Sequence, residues 1–584
     1  MRTWTHFSSM LVVTTLAAVT GCGEESASTP EGAGGNAGAP FDGVIVDLTD
    51  RYVTEGGEIT VIRDMSAFAS VEAQVIAEDG SMQTFAGALS ADGSRWEIPE
   101  VPEGEYWLVM TTAPDERAAD APRGRTMLQM TARTVDFGRT FAGRPDGGVA
   151  TEDLDVALTA EGLRPWHQVS RDAEGEVVQP LQDHIELYSF NVDALAALSP
   201  EDGTKGAPAD GDTACAGWAF NWRDAVFPAS HDGELPLVDG SKGDVLHVTQ
   251  VVEHEAGLPS EQADPRDPWS SFTYLAAEAS FSTREVIMQD GEAVALDGSF
   301  APLDLSSFAA DLRISQFIAQ VTAHAPAALS GTVTSMALNQ EPGNSVPLYG
   351  MMPTLLFAQV ASVQEPADPT CFPHDGTCDP ELCPDGCNDA LSTFHPGDHA
   401  ATYPYGNPYA GRGMELLDVT VAFRTRVAHP VEDSQEVLRG FLSVVMSAAD
   451  ANGAAVVPLL GLPRDLRIEG ESAPADTVTE GTGATPTITF EPPDVGTPDG
   501  YRVVIFLHDD IKDTEGAVLS QRSSVLSVET TDTAVKVPEG VLESGRHYSV
   551  QLTAYLGTHT REAPFRYQGT TLAQVQTYTG LFTP

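Results

Sequence analysis

Lysine is almost missing from this 584-residue chain: it occurs only at Lys205, Lys242, Lys512 and Lys536. Basic residues number 31 against 85 acidic ones, a formal net charge of −54. Such a surface repels the phosphates of nucleic acid and of anionic lipid headgroups, which excludes both as charge-matched partners. The same surface draws divalent cations, although most of it reads as plain solvated acid. No apolar run reaches the roughly twenty residues that a helix needs to span a bilayer. Catalytic signatures are missing as well. There is no GxSxG nucleophile elbow, no HExxH zinc helix and no phosphate-binding glycine loop. A hydrolase or carbohydrate-active enzyme working through dispersed carboxylates leaves no such motif, so that class stays open.

Cysteine is scarce too, with six in all and a single one, Cys22, in the first two hundred residues. Ahead of it lies the apolar run Met10 to Val19, too short to cross a membrane and of the length of a cleaved secretory core. The run ends in Val19-Thr20-Gly21-Cys22, an apolar residue and two small ones before a thiol. This order resembles a bacterial lipoprotein signal peptide with its lipobox. The resemblance implies removal of residues 1–21, acylation of Cys22 and attachment to a lipid bilayer outside the cytoplasm. Stable anchoring takes more than one acyl chain. Gly23, where Asp would favour the inner membrane, implies the outer membrane, with the chain facing periplasm or cell surface.

Hydrophobic residues make up 42% of the chain, enough to build cores, while 53 glycines and 40 prolines set frequent turns. The apolar segments are short, alternating and rich in Val, Thr and Leu. That pattern predicts a mainly β, multidomain protein: two small β-sandwiches flanking a larger β-rich domain with one packed helix. Residues 22–40, with Gly, Ala, Ser and Glu but no large apolar side chain, form a flexible tether. The modules are then expected at 41–160, 161–461 and 462–584.

In the first module the turns Glu78-Asp79-Gly80-Ser81 and Ala91-Asp92-Gly93-Ser94 separate short alternating strands. The stretch Trp96-Glu97-Ile98-Pro99-Glu100-Val101-Pro102-Glu103-Gly104-Glu105-Tyr106-Trp107-Leu108 resembles the end of a carboxypeptidase-regulatory-like (transthyretin-like) domain. Pro102 restricts φ, Gly104 completes a turn, and Tyr106 and Leu108 share one strand face. The resemblance implies a fold of accessory or adhesive type. In the last module, Leu542 stands six residues before Tyr548, which opens the alternating strand Tyr548 to Ala554. With Pro486 to Pro493 and Gly500 to Phe506 it resembles a fibronectin type III domain. That likeness implies a tyrosine corner at Tyr548 and puts Phe490 where Trp is usual.

The middle region resembles no recognised family. Eight or more strands are expected, with one amphipathic helix over Ser306–His324 from the spacing of Phe308, Leu312, Ile314, Phe317, Ile318 and Val321. Its unusual segment carries Cys371, Cys378, Cys383 and Cys387 in a loop nearly devoid of apolar residues. In an oxidising compartment these are disulfide candidates, with three possible pairings. Zinc is a rival, with His374, His395 and His399 nearby, but the gaps are not those of structural zinc knuckles. Asp375, Asp379, Glu381, Asp385 and Asp389 supply hard oxygen ligands suited to Ca²⁺, and the segment loosely resembles the small calcium-binding modules of Notch-type repeats. A plain acidic loop is the alternative. Cys215 is either a buried thiol or the partner of one of the four.

Three further features were weighed for chemistry. Glu253-His254-Glu255 lacks the second histidine of a zincin. His395 and His399 are separated by Pro396 and Gly397, which deny the helix that would align them. Trp218, Phe220 and Trp222 alternate, which places them on one strand face as core or as a ligand-stacking surface. No catalytic residue is assigned. The expectation is a non-enzymatic envelope lipoprotein that binds a protein or glycan partner, or serves adhesion or assembly. A deep cleft with convergent, shifted acids would instead favour the enzyme.

Overall fold

The computed structural model describes residues 41–54, 57–76, 82–112, 124–167, 182–199, 205–225, 235–259, 262–264, 266–325, 329–341, 352–366, 391–428, 435–512, 518–557 and 571–584. Over these the protein is mainly β and multi-sheeted.

The first module contributes β1 (Gly43–Asp47), β2 (Phe68–Ile76), β3 (Met82–Ala86), β4 (Arg95–Pro99), β5 (Tyr106–Thr112) and β6 (Arg125–Met130). Two sheets face each other, β1 pairing with β4 and β2 pairing with β3 and β5. In β4 the alternation is plain: Trp96 and Ile98 are buried, Arg95 and Pro99 are exposed. Tyr106 and Leu108 enter the same core, 1% and 0% exposed. Gly104 sits at φ +113°, a conformation that a side chain would resist, so the turn into β5 needs glycine. The polar ends of the core aromatics are satisfied on backbone: Trp96 Nε1 donates to Met65 O at 3.1 Å and the Tyr106 hydroxyl to Ala132 O at 2.5 Å.

The middle region begins earlier than the expected residue 161, because Asp155–Glu161 pairs with its strands; it contributes β7 (Asp155–Glu161), β8 (His184–Ser189), β9 (Ala194–Leu198), β10 (Ala214–Asn221), β11 (Leu246–Gly257), β12 (Ser271–Thr283), β13 (Val294–Ser299), β14 (Leu305–Leu312), β15 (Leu329–Glu341), β16 (Thr354–Ala361), β17 (His399–Gly406), β18 (Met414–Ala428) and β19 (Gln435–Ser447). The expected helix over Ser306–His324 is corrected at its start. Leu305–Leu312 is strand β14, paired with β17, and the helix runs only over Ile314–His324. The period changes at Arg313: Phe308, Ala310 and Leu312 are buried at every second residue, then Ile314, Phe317 and Val321 at helical spacing. A hydrophobicity count over the whole stretch blends the two periods.

The last module contributes β20 (Thr487–Glu491), β21 (Gly500–Lys512), β22 (Val518–Thr530), β23 (His547–Leu556) and β24 (Ala573–Tyr578). β20 lies between Arg464–Ile468 and Ala534–Lys536 in one sheet, while β21, β22 and β23 pair in the other. Phe490 of β20 meets Tyr501 of β21 edge-on, ring centres 4.8 Å apart. Tyr548 is 1% exposed, and its hydroxyl accepts the Glu543 N–H at 2.9 Å. The fibronectin-type likeness expects this hydroxyl to donate to nearby backbone; in this contact it is instead the acceptor of a backbone N–H.

The modules are joined by backbone ladders. β22 pairs in parallel with β6 of the first module, Leu526 opposite Arg125 through Glu529 opposite Leu128. β24 pairs antiparallel with β19 of the middle region, Phe441 opposite Gln576 through Val444 opposite Ala573. One 19-stranded sheet results, its main strands in the order β9-β8-β11-β12-β16-β15-β18-β19-β24-β23-β21-β22-β6-β5-β2-β3. The last module thus stands between the other two along the ladder, although it comes last in sequence. No helix among the described residues is long and apolar enough to cross a membrane.

Candidate functional site

A cleft of about 550 Å³ opens in the middle region where the turn between β11 and β12 meets the start of β17. Strand alternation builds its wall. Phe272 and Tyr274 project from one face of β12, and His399, Ala401 and Tyr403 from one face of β17. Their rings interleave: Phe272 meets His399 edge-on at 5.4 Å, and Tyr274 meets Tyr403 edge-on at 5.0 Å. Trp269, from the β11–β12 turn, lies flat on His399 with centres 4.1 Å apart and planes 14° apart. Edge contacts and offset stacks of this kind are favoured by the ring quadrupoles and resist rearrangement.

Burial holds the His399 imidazole down at about 4, so it is neutral near pH 7. Its Nε2 lies 2.5 Å from the Tyr403 hydroxyl, which donates to it when that nitrogen carries no proton. Trp269 is 6% exposed, and its indole N–H has no acceptor among the described residues. Behind the wall, His254 stacks on Tyr274 at 5.0 Å and stands 3.0 Å from Glu278, which also pairs with Arg164 at 2.8 Å. Those two partners, His254 foremost, hold the Glu278 carboxyl below its usual range.

Two carboxylates rim the cleft, Asp267 in the turn and Asp398 just before β17; Glu255, at the end of β11, also borders it but is paired with Thr273, so its side chain takes the other face of the β11–β12 ladder. Asp267 accepts the Trp269 N–H at 3.0 Å, which fixes the turn that carries the indole. Asp398 accepts the Ser315 N–H at 2.9 Å and lies 3.6 Å from Arg313. Hydrogen bonding from Ser315, aided by Arg313, keeps Asp398 below the usual carboxylate range, hence ionised. Glu255 has no ion-pair partner among the described residues and is exposed. Among the described residues no lysine or arginine lines the cleft. Among the described residues the carboxyls that burial pushes up, namely Asp183, Asp193, Glu253, Asp418 and Glu529, all lie outside its wall.

The ligand-stacking surface expected at Trp218, Phe220 and Trp222 is overturned. Trp218 and Trp222 are 2% and 0% exposed and Phe220 packs against the same core. Trp218 meets Trp166 edge-on at 5.9 Å, and Trp222 Nε1 donates to Pro236 O at 3.0 Å. Trp218 and Phe220 lie on strand β10, whereas Trp222 opens a short helix (Trp222–Ala225) after it, and all three pack on the same core. Cys215, on the same strand β10, is a buried free thiol 3.7 Å from Leu158 O. In Glu253-His254-Glu255 alternation puts His254 on the face of Tyr274 and both glutamates on the other. His395 bonds the Thr332 hydroxyl at 3.1 Å, away from the cleft wall, while His399 is part of it.

Cys22, Cys371, Cys378, Cys383 and Cys387, with Asp375, Asp379, Glu381, Asp385 and Asp389, lie outside the described residues. Among the described residues no three His, Cys, Asp or Glu side chains converge into a metal cage. The aromatic cleft itself was missed from sequence. Its signal was the alternation Phe272-Thr273-Tyr274 three residues after Trp269, repeated as His399-Ala400-Ala401-Thr402-Tyr403, with Asp267 and Asp398 ahead of the two stretches.

No family model matches the chain. No curated protein matches it either. Among solved structures, a tetra-tandem repeat in the extending region of a large adhesion protein aligns over 91% of this chain and 99% of its own at 12% identity. Its TM-score is 0.10, at which the alignment carries no argument about fold or function.

Proposed function

We propose that this protein is an envelope lipoprotein, anchored to the outer membrane through acylated Cys22, that binds a partner in the middle-region cleft without transforming it. The observation that carries the reading is the mismatch between the cleft and its acids. The cleft has aromatic walls and an ionised Asp398 on its rim, yet among the described residues every carboxyl that burial pushes up lies elsewhere. General acid catalysis at neutral pH wants a lifted carboxyl in reach of the substrate. A binding site wants walls and fixed charge. The lipobox-like Val19-Thr20-Gly21-Cys22 and the following Gly-rich tether support the anchor. The carboxypeptidase-regulatory-like and fibronectin-like stretches suit an accessory or adhesive role, and Ca²⁺ and disulfides in the segment 371–389 belong to the same proposal.

Capture from envelope extracts tests it, using the mature chain with Cys22→Ser beside the Asp398→Ala and Asp267→Ala forms of that chain. A partner retained by the first and lost from the other two is expected. Capture unaffected by both substitutions, or a turnover of the captured molecule, removes the reading. Membrane fractionation tests the anchor separately: Cys22→Ser should move the protein out of the membrane pellet.

A further inference from the structure

We infer that this protein pairs with a second copy of itself along one edge of the first module, the strand Gly57–Ile62. That strand closes a three-stranded ribbon: it pairs with Thr49–Thr54, which pairs in turn with Thr140–Ala142. Among the described residues no strand pairs with its other side. The register fixes where its backbone groups point. The Arg63 N–H bonds Leu48 O at 2.9 Å, and bonded and unbonded pairs alternate along an antiparallel ladder. Val61, Ile59 and Gly57 therefore turn their N–H and C=O groups in toward Thr49–Thr54, while Ile62, Thr60 and Glu58 turn theirs out. Arg51, opposite Thr60, agrees: its N–H bonds Arg139 O on the far side of its strand at 2.8 Å.

The usual guards of a sheet edge are lysine, proline, a bulge or a covering element. Gly57–Ile62 holds no lysine or proline and pairs without a register shift. Ile59-Thr60-Val61-Ile62 is an unbroken β-branched run, well suited to a further strand. Ile59 and Ile62 are 43% and 66% exposed, and Val53, opposite Glu58, is 44% exposed.

A row of outward donors and acceptors is matched by an extended strand. Symmetry and charge make that strand a second copy. A two-fold axis through Thr60, perpendicular to the sheet, sets Thr60 opposite itself, Glu58 opposite Ile62, and Ile59 opposite Val61. Within Gly57–Ile62 this two-fold register matches the outward groups of Glu58, Thr60 and Ile62 in both copies. It opposes no like charges, and it joins Thr to Thr and Ile to Val. Over most of its surface a chain of net charge −54 repels its own copy. The ribbon differs. Arg51 pairs with Glu58 at 3.7 Å and Asp136 at 3.2 Å, and Arg63 with Asp50 at 2.7 Å. With Arg139 beside them these charges balance, so an acidic copy can approach here.

The mature Cys22→Ser chain is the material for the test. Sedimentation velocity over a concentration series is expected to show a reversible dimer. Thr60→Pro removes an N–H that points outward, and Thr60→Lys sets like charges opposite each other. Both should stay monomeric at every concentration with the parent's melting temperature. Under mild oxidation Thr60→Cys should give a disulfide-linked dimer that the parent does not form, because the paired Cα atoms would lie about 5.5 Å apart. Glu58→Cys, roughly 13 Å from its own copy, should stay unlinked alone and link when mixed with Ile62→Cys. A parent that is monomeric throughout, or a dimer undiminished by both Thr60→Pro and Thr60→Lys, overturns the inference. Linking of Glu58→Cys alone as readily as Thr60→Cys overturns it as well. Capture that depends on Asp267 and Asp398 is independent of all these outcomes.

Discussion

Gln129 of the first module accepts, at its side-chain oxygen, the hydroxyl of Thr530 in the last module at 2.8 Å, across 401 residues of sequence. The same oxygen takes the Thr531 N–H at 3.0 Å, and the Gln129 amide donates to Glu105 at 2.8 Å and to Asp532 at 2.9 Å. Gln129 is 1% exposed, so these bonds are made where water cannot replace them. They sit one residue beyond the parallel β6–β22 pairing and lock its register. Gln129→Leu should therefore lower stability by about 1–3 kcal/mol, the cost of stranding the buried donors of Thr530 and Thr531. Urea unfolding measures this. A variant with an unchanged midpoint would mean that the two modules do not pair in solution.

Acid should loosen the protein in a defined window. Burial, with Arg412 adding to it, holds His247 down at about 4, and burial alone does the same to His399. Unfolded, each titrates near 6.5. Between those values the unfolded chain takes up protons that the folded chain refuses, so stability rises with pH from about 4 to 6.5 and is lost on acidification. His247, 8% exposed, should contribute on the order of 2–3 kcal/mol, and the more open His399 less. Melting temperatures across this range check it: His247→Phe, which keeps the edge contacts with Phe190 and Tyr409, should flatten the profile. A slope identical to the parent's would show that His247 is not buried neutral.

Trp222 belongs to the core, and removing it should behave accordingly. Trp222→Ala is expected to cost about 3–5 kcal/mol, through lost burial and the cavity left behind. The stranded Pro236 carbonyl adds to the loss. Partner capture at a temperature where the variant is still folded should be unchanged. Loss of binding with little loss of stability would restore Trp222 to a ligand face.

Cys215 should be silent in the folded protein. Its thiol is buried, and burial pushes its pKa up, so little thiolate is available to an alkylating reagent. Peptide mapping after treatment with iodoacetamide should find Cys215 modified only when denaturant is present. Rapid native labelling would contradict the placement of β10 against β7.

Alternation made much of the local structure legible before any coordinates. Trp96, Ile98, Tyr106 and Leu108 lie on alternating strands and are core, and Tyr548, which opens the alternating strand to Ala554, is buried as well. Where two periods adjoin, as at Arg313, a composition window merged strand and helix into one longer helix. For Trp218 and Trp222 periodicity indicated a common face but not its direction, because facing a core and facing a ligand require the same spacing. The cleft residues were hidden for a different reason. Trp269, Phe272, His399 and Tyr403 come from segments more than a hundred residues apart, and each is unremarkable within its own strand.

Composition and short-range pattern alone determined the acidic surface, the mainly β character and the small-residue run before Cys22, since each depends on residue type and near neighbours. Tertiary structure decided everything that depends on backbone pairing between distant strands. Parallel pairing of β6 with β22 and antiparallel pairing of β19 with β24 use N–H and C=O groups that every residue carries, so no side-chain pattern encodes which strand edges meet. That choice set the last module between its neighbours in one sheet. The meeting of β12 with β17 likewise set Trp269 on His399 and opened the acid-rimmed cleft.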